Sequence, residues 1–141
     1  MLGEGEFGIV VRATLRTHAN TRDVAVKMLK GGVGGAEARA LVREGMRLRD
    51  LHHAHIVQLV GVCMQGSPML LVFEFMERGD LKSLLRRLHT INTDLSRDVA
   101  VDVVGEPHLV KLSVDVTLGL VYLHEHRYVH RDIAARYGLI D

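Results

Sequence analysis

Gly3-Glu4-Gly5-Glu6-Phe7-Gly8 spaces three glycines so that backbone amides can close over phosphate oxygens without side chains in the way. Further on, Val24-Ala25-Val26-Lys27 ends an alternating apolar segment on a cation, Glu44 stands alone in a helical apolar stripe, and His130-Arg131-Asp132 follows late. The glycine string alone is weak, because dinucleotide-binding folds use it too. In those folds a strand precedes the glycines and a helix follows. Here nothing precedes them but Met1-Leu2, and the strand-like Ile9-Val10-Val11 follows, which favours a hairpin whose backbone covers phosphates. The plain alternative for this motif is a glycine-rich turn with no ligand. Taken in order, the four motifs fit phosphoryl transfer from ATP better than any one of them does.

A strand lysine ordinarily points to solvent. Glu44 argues otherwise for Lys27. It falls three residues after Leu41 and four before Leu48, inside the apolar stripe. Burying a carboxylate there without a cation costs about several kcal/mol. Lys27 is the expected partner, and the pair would aim the ammonium at the α- and β-phosphates of ATP.

The elements that must position these groups follow from periodicity. Residues 6–15 and 22–30 read as strands, short and β-branched, with His18–Asp23 supplying the turn. Gly31–Gly35 is a connector, and a helix is predicted from Ala36 to about Leu51 with Leu41, Leu48 and Leu51 on one stripe. Ile56–Cys63 and Pro68–Phe75 are two further apolar strands. Asp80 is placed to cap a helix bearing Leu81, Leu84, Leu85 and Leu88 on one face. Residues 89–106 are mixed and loop-like. Glu106-Pro107 opens a longer helix to about His126, with Leu109, Leu112, Val116, Leu120 and Leu123 in register.

Composition sets the outer bounds. The 141 residues match one ordinary domain, and 48% hydrophobic with 25% charged residues is globular, not disordered. A net charge of +1 gives no electrostatic case for nucleic acid or an acidic membrane. The single cysteine, Cys63, excludes an intrachain disulfide framework. The nine histidines form no HExxH pattern, and His52, His53 and His55 are not spaced to put three metal ligands on one helix face. The longest apolar runs fall well short of the roughly 20 residues of a membrane span, and no signal peptide precedes the first motif. The expectation is a soluble, cytoplasmic chain with no membrane segment of its own, any such segment of a longer parent lying upstream.

Together with Gly79-Asp80-Leu81, Tyr122-Leu123-His124 and His130-Arg131-Asp132-Ile133-Ala134-Ala135-Arg136, the four motifs resemble a protein kinase domain. The match is best with the receptor-type tyrosine kinase group. Serine/threonine kinases usually carry lysine two residues after the catalytic aspartate, where this chain has Ala134. Receptor-type tyrosine kinases show Ala-Ala-Arg, with the arginine at the position of Arg136. The resemblance implies an α+β, two-lobed fold in truncated form. Residues 1–76 would be the β-rich amino-terminal lobe, its first strand incomplete, and 77–141 the first helices of the carboxy-terminal lobe. It implies ATP as phosphoryl donor, Mg²⁺, and protein tyrosine as acceptor. Asp132, Arg136, Lys27 and Glu44 would be catalytic. Gly3, Gly5 and Gly8 would cover the phosphates, Val10 and Ala25 sandwich the adenine, Phe73 stand as gatekeeper, and Glu74, Phe75 and Met76 form the hinge. By periodicity alone, Leu70–Phe73 is equally an ordinary buried strand, and an aspartate after an arginine is commonly a surface pair.

The pattern then breaks. The family places asparagine five residues past the catalytic aspartate as a magnesium ligand, and here that residue is Tyr137. A neutral phenol with pKa near 10 is a poor ligand for a hard cation. The aspartate of the Asp-Phe-Gly motif would fall beyond Asp141, so neither protein ligand for magnesium is expected in this chain. His53-Ala54-His55-Ile56 replaces the usual His-Pro-Asn turn. The helix over 107–126 is expected to lack its cover and to drive self-association.

Overall fold

The computed structural model describes residues 1–4, 8–29, 35–65, 68–93, 106–130 and 132–140. Gly5, the connector at 31–34, the stretch 94–105 and Arg131, all singled out by sequence, lie outside the described residues. Contacts divide the chain into two compact units, Met1–Phe75 and Met76–Asp141.

The first unit is built on a five-stranded antiparallel sheet in the order β1-β2-β3-β5-β4. β1 is Gly3–Glu4, β2 Gly8–Arg16, β3 Thr21–Leu29, β4 Leu59–Cys63 and β5 Leu70–Glu74. The β-branched runs in β2 and β3 suit a pleated, half-buried surface, and they pair from Gly8↔Leu29 to Arg16↔Thr21. The turn is tighter and earlier than sequence placed it. Thr17 N–H donates to Asn20 O at 2.8 Å, and Thr17 Oγ1 accepts from the N–H of Asn20 at 3.0 Å. β4 begins only at Leu59, because Ile56 N–H closes a turn on His53 O at 3.1 Å.

Residues directly paired across strands share a sheet face. Val10 opposes Lys27, Arg12 opposes Ala25, and β5 sets Leu71 beside Lys27 and Phe73 beside Ala25. One face therefore carries Val10, Arg12, Ala25, Lys27, Leu71 and Phe73. Helix α1, Gly35–Leu48, packs on it through a core of Leu41, Leu59 and Leu71, with Leu29, Leu48, Met69 and Phe73 around them. Gly45 sets the approach of α1. A Cβ there would come within 2.7 Å of Leu71 Cδ2 and 3.2 Å of Val62 Cγ2. Glycine inside a helix costs about 1 kcal/mol relative to alanine, and here it lets helix and sheet meet.

In the second unit, helix α2 runs Leu81–Thr93. Asp80 caps it: Ser83 N–H donates to Asp80 Oδ1 at 2.9 Å and Ser83 Oγ to Oδ2 at 2.6 Å. These bonds, the hydroxyl's first, hold the Asp80 carboxyl below its ordinary range. The cap's contribution is thus present at neutral pH and fades as pH falls through that depressed value. Strands β6, Gly79–Asp80, and β7, Leu139–Ile140, form a short antiparallel pair. Leu81 N–H donates to Gly138 O at 2.8 Å and Lys82 N–H to Ala135 O at 3.1 Å. The start of α2 thereby anchors the loop that follows Asp132.

Helix α3 spans Glu106–Glu125. It ends in a Schellman motif, with Tyr128 N–H on Leu123 O at 2.8 Å and Arg127 N–H on His124 O at 2.9 Å. Arg127 takes the left-handed position, φ 56°, that glycine usually fills. The expected stripe is less bare than periodicity implied. Leu123 is buried and Leu112 and Leu120 are half-buried, while Leu109 and Val116 are exposed. The larger exposed apolar surface belongs to Val110, Val114, Leu118 and Val121. The helix is apolar around most of its girth, so one stripe does not describe it. No helix among the described residues is long and apolar enough to cross a membrane.

Candidate functional site

In the first unit Lys27 Nζ lies 2.6 Å from Glu44 Oε1. β3 presents the lysine on the face that α1 covers, and the helical stripe brings Glu44 over it. The pair is not sealed, however. The two side chains are 35% and 37% exposed, which corrects the expectation of a buried carboxylate. Residue 44 sits at the margin of the contact that Gly45 makes with Leu71, so water reaches it. Ion pairs this wet contribute about 0.2–1 kcal/mol. The pair's consequence is therefore orientation of the ammonium, with little effect on stability.

Val10 and Ala25 are half-buried on the same face as Lys27. Phe73 packs against the Leu41–Leu59–Leu71 core. Glu74 is engaged twice within the fold: its N–H donates to Gln58 O at 3.1 Å, and its Oε1 accepts Gln58 N–H at 2.7 Å. Phe75 lies under the Arg12 guanidinium, 4.6 Å from the ring centroid. Arg12 also donates from Nε to Asp23 Oδ2 at 2.9 Å. Sequence reading passed over Arg12, although it stands two residues after Val10 on the same strand face. Met76, which opens the second unit, accepts Gly79 N–H at 3.3 Å.

The glycines differ in what requires them. A Cβ on Gly8 would sit 2.9 Å from the Met28 carbonyl oxygen, so close strand approach alone demands glycine there. At Gly3 a Cβ would meet nothing within 4 Å. Gly8→Ala is accordingly expected to lower stability by about 1–3 kcal/mol, the range of overpacking changes, and Gly3→Ala by less than about 0.5 kcal/mol. Urea titrations of both variants check this. Equal losses would show that the strand approach at Gly8 is not the constraint.

In the second unit Arg136 Nη2 donates to both Asp132 oxygens at 2.9 Å. Tyr137 Oη donates to Asp132 Oδ2 at 3.0 Å. The Arg136 guanidinium lies over the Tyr137 ring, 4.6 Å from its centroid. The Tyr137 hydroxyl first, and Arg136 next, hold the Asp132 carboxyl below its usual range. Asp132 is thus ionised at neutral pH and already carries donors.

Magnesium does not fit what stands here. Tyr137 meets Asp132 as a donor, presenting a proton where a cation needs a lone pair. Among the described residues no three His, Cys, Asp or Glu side chains cluster to hold a metal ion.

The chain belongs to the protein kinase family, whose profile covers its whole length. The family profile described as "Protein tyrosine and serine/threonine kinase" matches residues 1–141. The high affinity nerve growth factor receptor of Mus musculus is 41% identical over 145 residues, covering 99% of this chain and 18% of that receptor. The NT-3 growth factor receptor of Macaca fascicularis is 37% identical, with 99% and 18% covered. The serine/threonine-protein kinase LMTK3 of Mus musculus is 33% identical over 143 residues, with 99% and 10% covered. The chain spans less than a fifth of each of these relatives, and its similarity to the growth factor receptors agrees with the resemblance to receptor-type tyrosine kinases. Members of the family use ATP and Mg²⁺.

Proposed function

We propose that the chain carries the ATP-binding half of a protein tyrosine kinase. Lys27, oriented by Glu44, meets the α- and β-phosphates, and Asp132 serves the acceptor hydroxyl. The Lys27–Glu44 contact at 2.6 Å carries this reading, since a strand lysine held by a helix carboxylate is an arrangement suited to phosphate. Gly3, Gly5 and Gly8 would cover the phosphates. Val10, Ala25 and Phe73 would line the adenine site, with Glu74, Phe75 and Met76 as the hinge. The first unit corresponds in this reading to the amino-terminal lobe and the second to the start of the carboxy-terminal lobe. Ala134-Ala135-Arg136 favours tyrosine over serine or threonine as the acceptor. The reading places the chain in the cytoplasm, and the exposed α3 valines and Leu118 support self-association through that helix.

A second reading, a catalytically dead nucleotide- or partner-binding module, is favoured by one observation: the Tyr137 hydroxyl sits on Asp132 where the family needs a magnesium ligand. For the 141-residue chain the two readings combine. It binds nucleotide and does not turn over. Incubated with Mg-ATP and a tyrosine-containing polymer, it is expected to yield no phosphotyrosine. Phosphotyrosine that disappears in Asp132→Asn would overturn this.

A further inference from the structure

In the second unit a hydrogen bond joins a phenol to the aspartate that the kinase reading assigns to a phenol. We propose that Tyr137 is an internal stand-in for the acceptor tyrosine, a latch whose hydroxyl occupies Asp132 and which an incoming tyrosine peptide must displace. This rests on the kinase reading of Asp132.

The bond itself, Tyr137 Oη to Asp132 Oδ2 at 3.0 Å, is the one a substrate tyrosine would make with a proton-accepting carboxylate. A carboxylate oxygen offers two lone pairs. On Oδ2 one is taken by Arg136 and the other by Tyr137. The phenol is held in place from several sides. Its backbone N–H closes a turn on Ala134 O at 2.9 Å. The Arg136 guanidinium covers its ring, and the His130 ring lies 5.7 Å away, centroid to centroid. The flanking residues are tied to α2 by the bonds of Ala135 and Gly138, and a Cβ at 138 would already press on Leu81 at 3.3 Å. Yet Tyr137 is 52% exposed, so it can swing out without opening a core.

Tyr137→Phe keeps the ring and its stack on Arg136 and removes only the donor, and Tyr137→Leu serves if that stack is disturbed. Among the described residues, the charged and titratable groups facing Asp132 are Arg136, Tyr137 and His130. Carboxyl carbon NMR of the 141-residue chain should show Asp132 titrating below the usual carboxylate range, and its midpoint should rise in Tyr137→Phe. The sign follows because the phenol stabilises the ionised form. A short peptide with one tyrosine should then perturb the Asp132 signal at several-fold lower concentration in the variant than in the parent chain. The same peptide with phenylalanine should perturb neither. An unchanged midpoint together with an unchanged peptide response overturns the latch. ATP titrated into the same samples separates the two failures. Binding retained while Tyr137→Phe changes nothing removes the latch and leaves the kinase reading. A shifted midpoint without ATP binding overturns the proposal through the kinase reading, not through Tyr137.

Discussion

Leu71→Ala is expected to lower the stability of the first unit by about 2–5 kcal/mol, the range for truncating a buried leucine. Leu71 is 1% exposed and sits at the centre of the Leu41–Leu59–Leu71 core. It is also the residue against which α1 leans, since Gly45 faces its Cδ2. A cavity there cannot be filled by its neighbours without moving the helix that carries Glu44. Against a domain stability of about 5–15 kcal/mol, such a loss is a large share. The Lys27–Glu44 contact should loosen with it, because the lysine pairs directly with Leu71 across β3 and β5. Met46→Ala is the control on the same helix: its side chain is 66% exposed and should change stability by less than about 0.5 kcal/mol. Urea unfolding of the three proteins measures the difference. A Leu71→Ala loss below about 1 kcal/mol would mean that the core does not hold α1 in place.

Much of this architecture was legible in the residues. β-branched runs around the first turn gave β2 and β3, and Asp80 announced the start of α2, which it caps through Ser83. What local pattern could not supply was the reason for Gly45. Inside a helix a glycine reads as a weakness, and the reason for it lies with Leu71 and Val62, on strands later in the chain. The same holds for Ile56, whose apolar character suggested strand while its N–H closed a turn on His53. For α3 the pattern named five stripe residues, but a helix apolar on most sides hides which side is covered. Only packing sorted the buried Leu123 from the exposed Val110.

The candidate site divides in a similar way. Glu44 was conspicuous as a charge out of place, and Lys27 was its plausible partner in the motif order. Their wetness was not conspicuous, since helical periodicity does not say how far a stripe extends to the edge of a sheet. Tyr137 was read as a missing asparagine, a deficiency. Its positive act, donating to Asp132, depends on the turn closed on Ala134 and on the anchoring of Ala135 and Gly138 to α2, none of which is local to one residue. Arg12 went unnoticed because a charge on a hairpin strand is usually a solvated one, and its stack on Phe75 joins positions far apart in sequence.

The central claim is that Lys27 meets nucleotide phosphate. Calorimetric titration of ATP into the 141-residue chain and into Lys27→Met, each with and without Mg²⁺, tests it most directly. The parent chain should bind weakly, with little dependence on the metal, since Tyr137 offers a proton and not a ligand. Hydrogen bonds to charged groups contribute about 1.5–3 kcal/mol, so Lys27→Met should weaken binding by about 10- to 100-fold. Equal affinity in the two proteins would show that Lys27 does not touch phosphate, and strongly magnesium-dependent binding would show that a metal site exists where this account finds none.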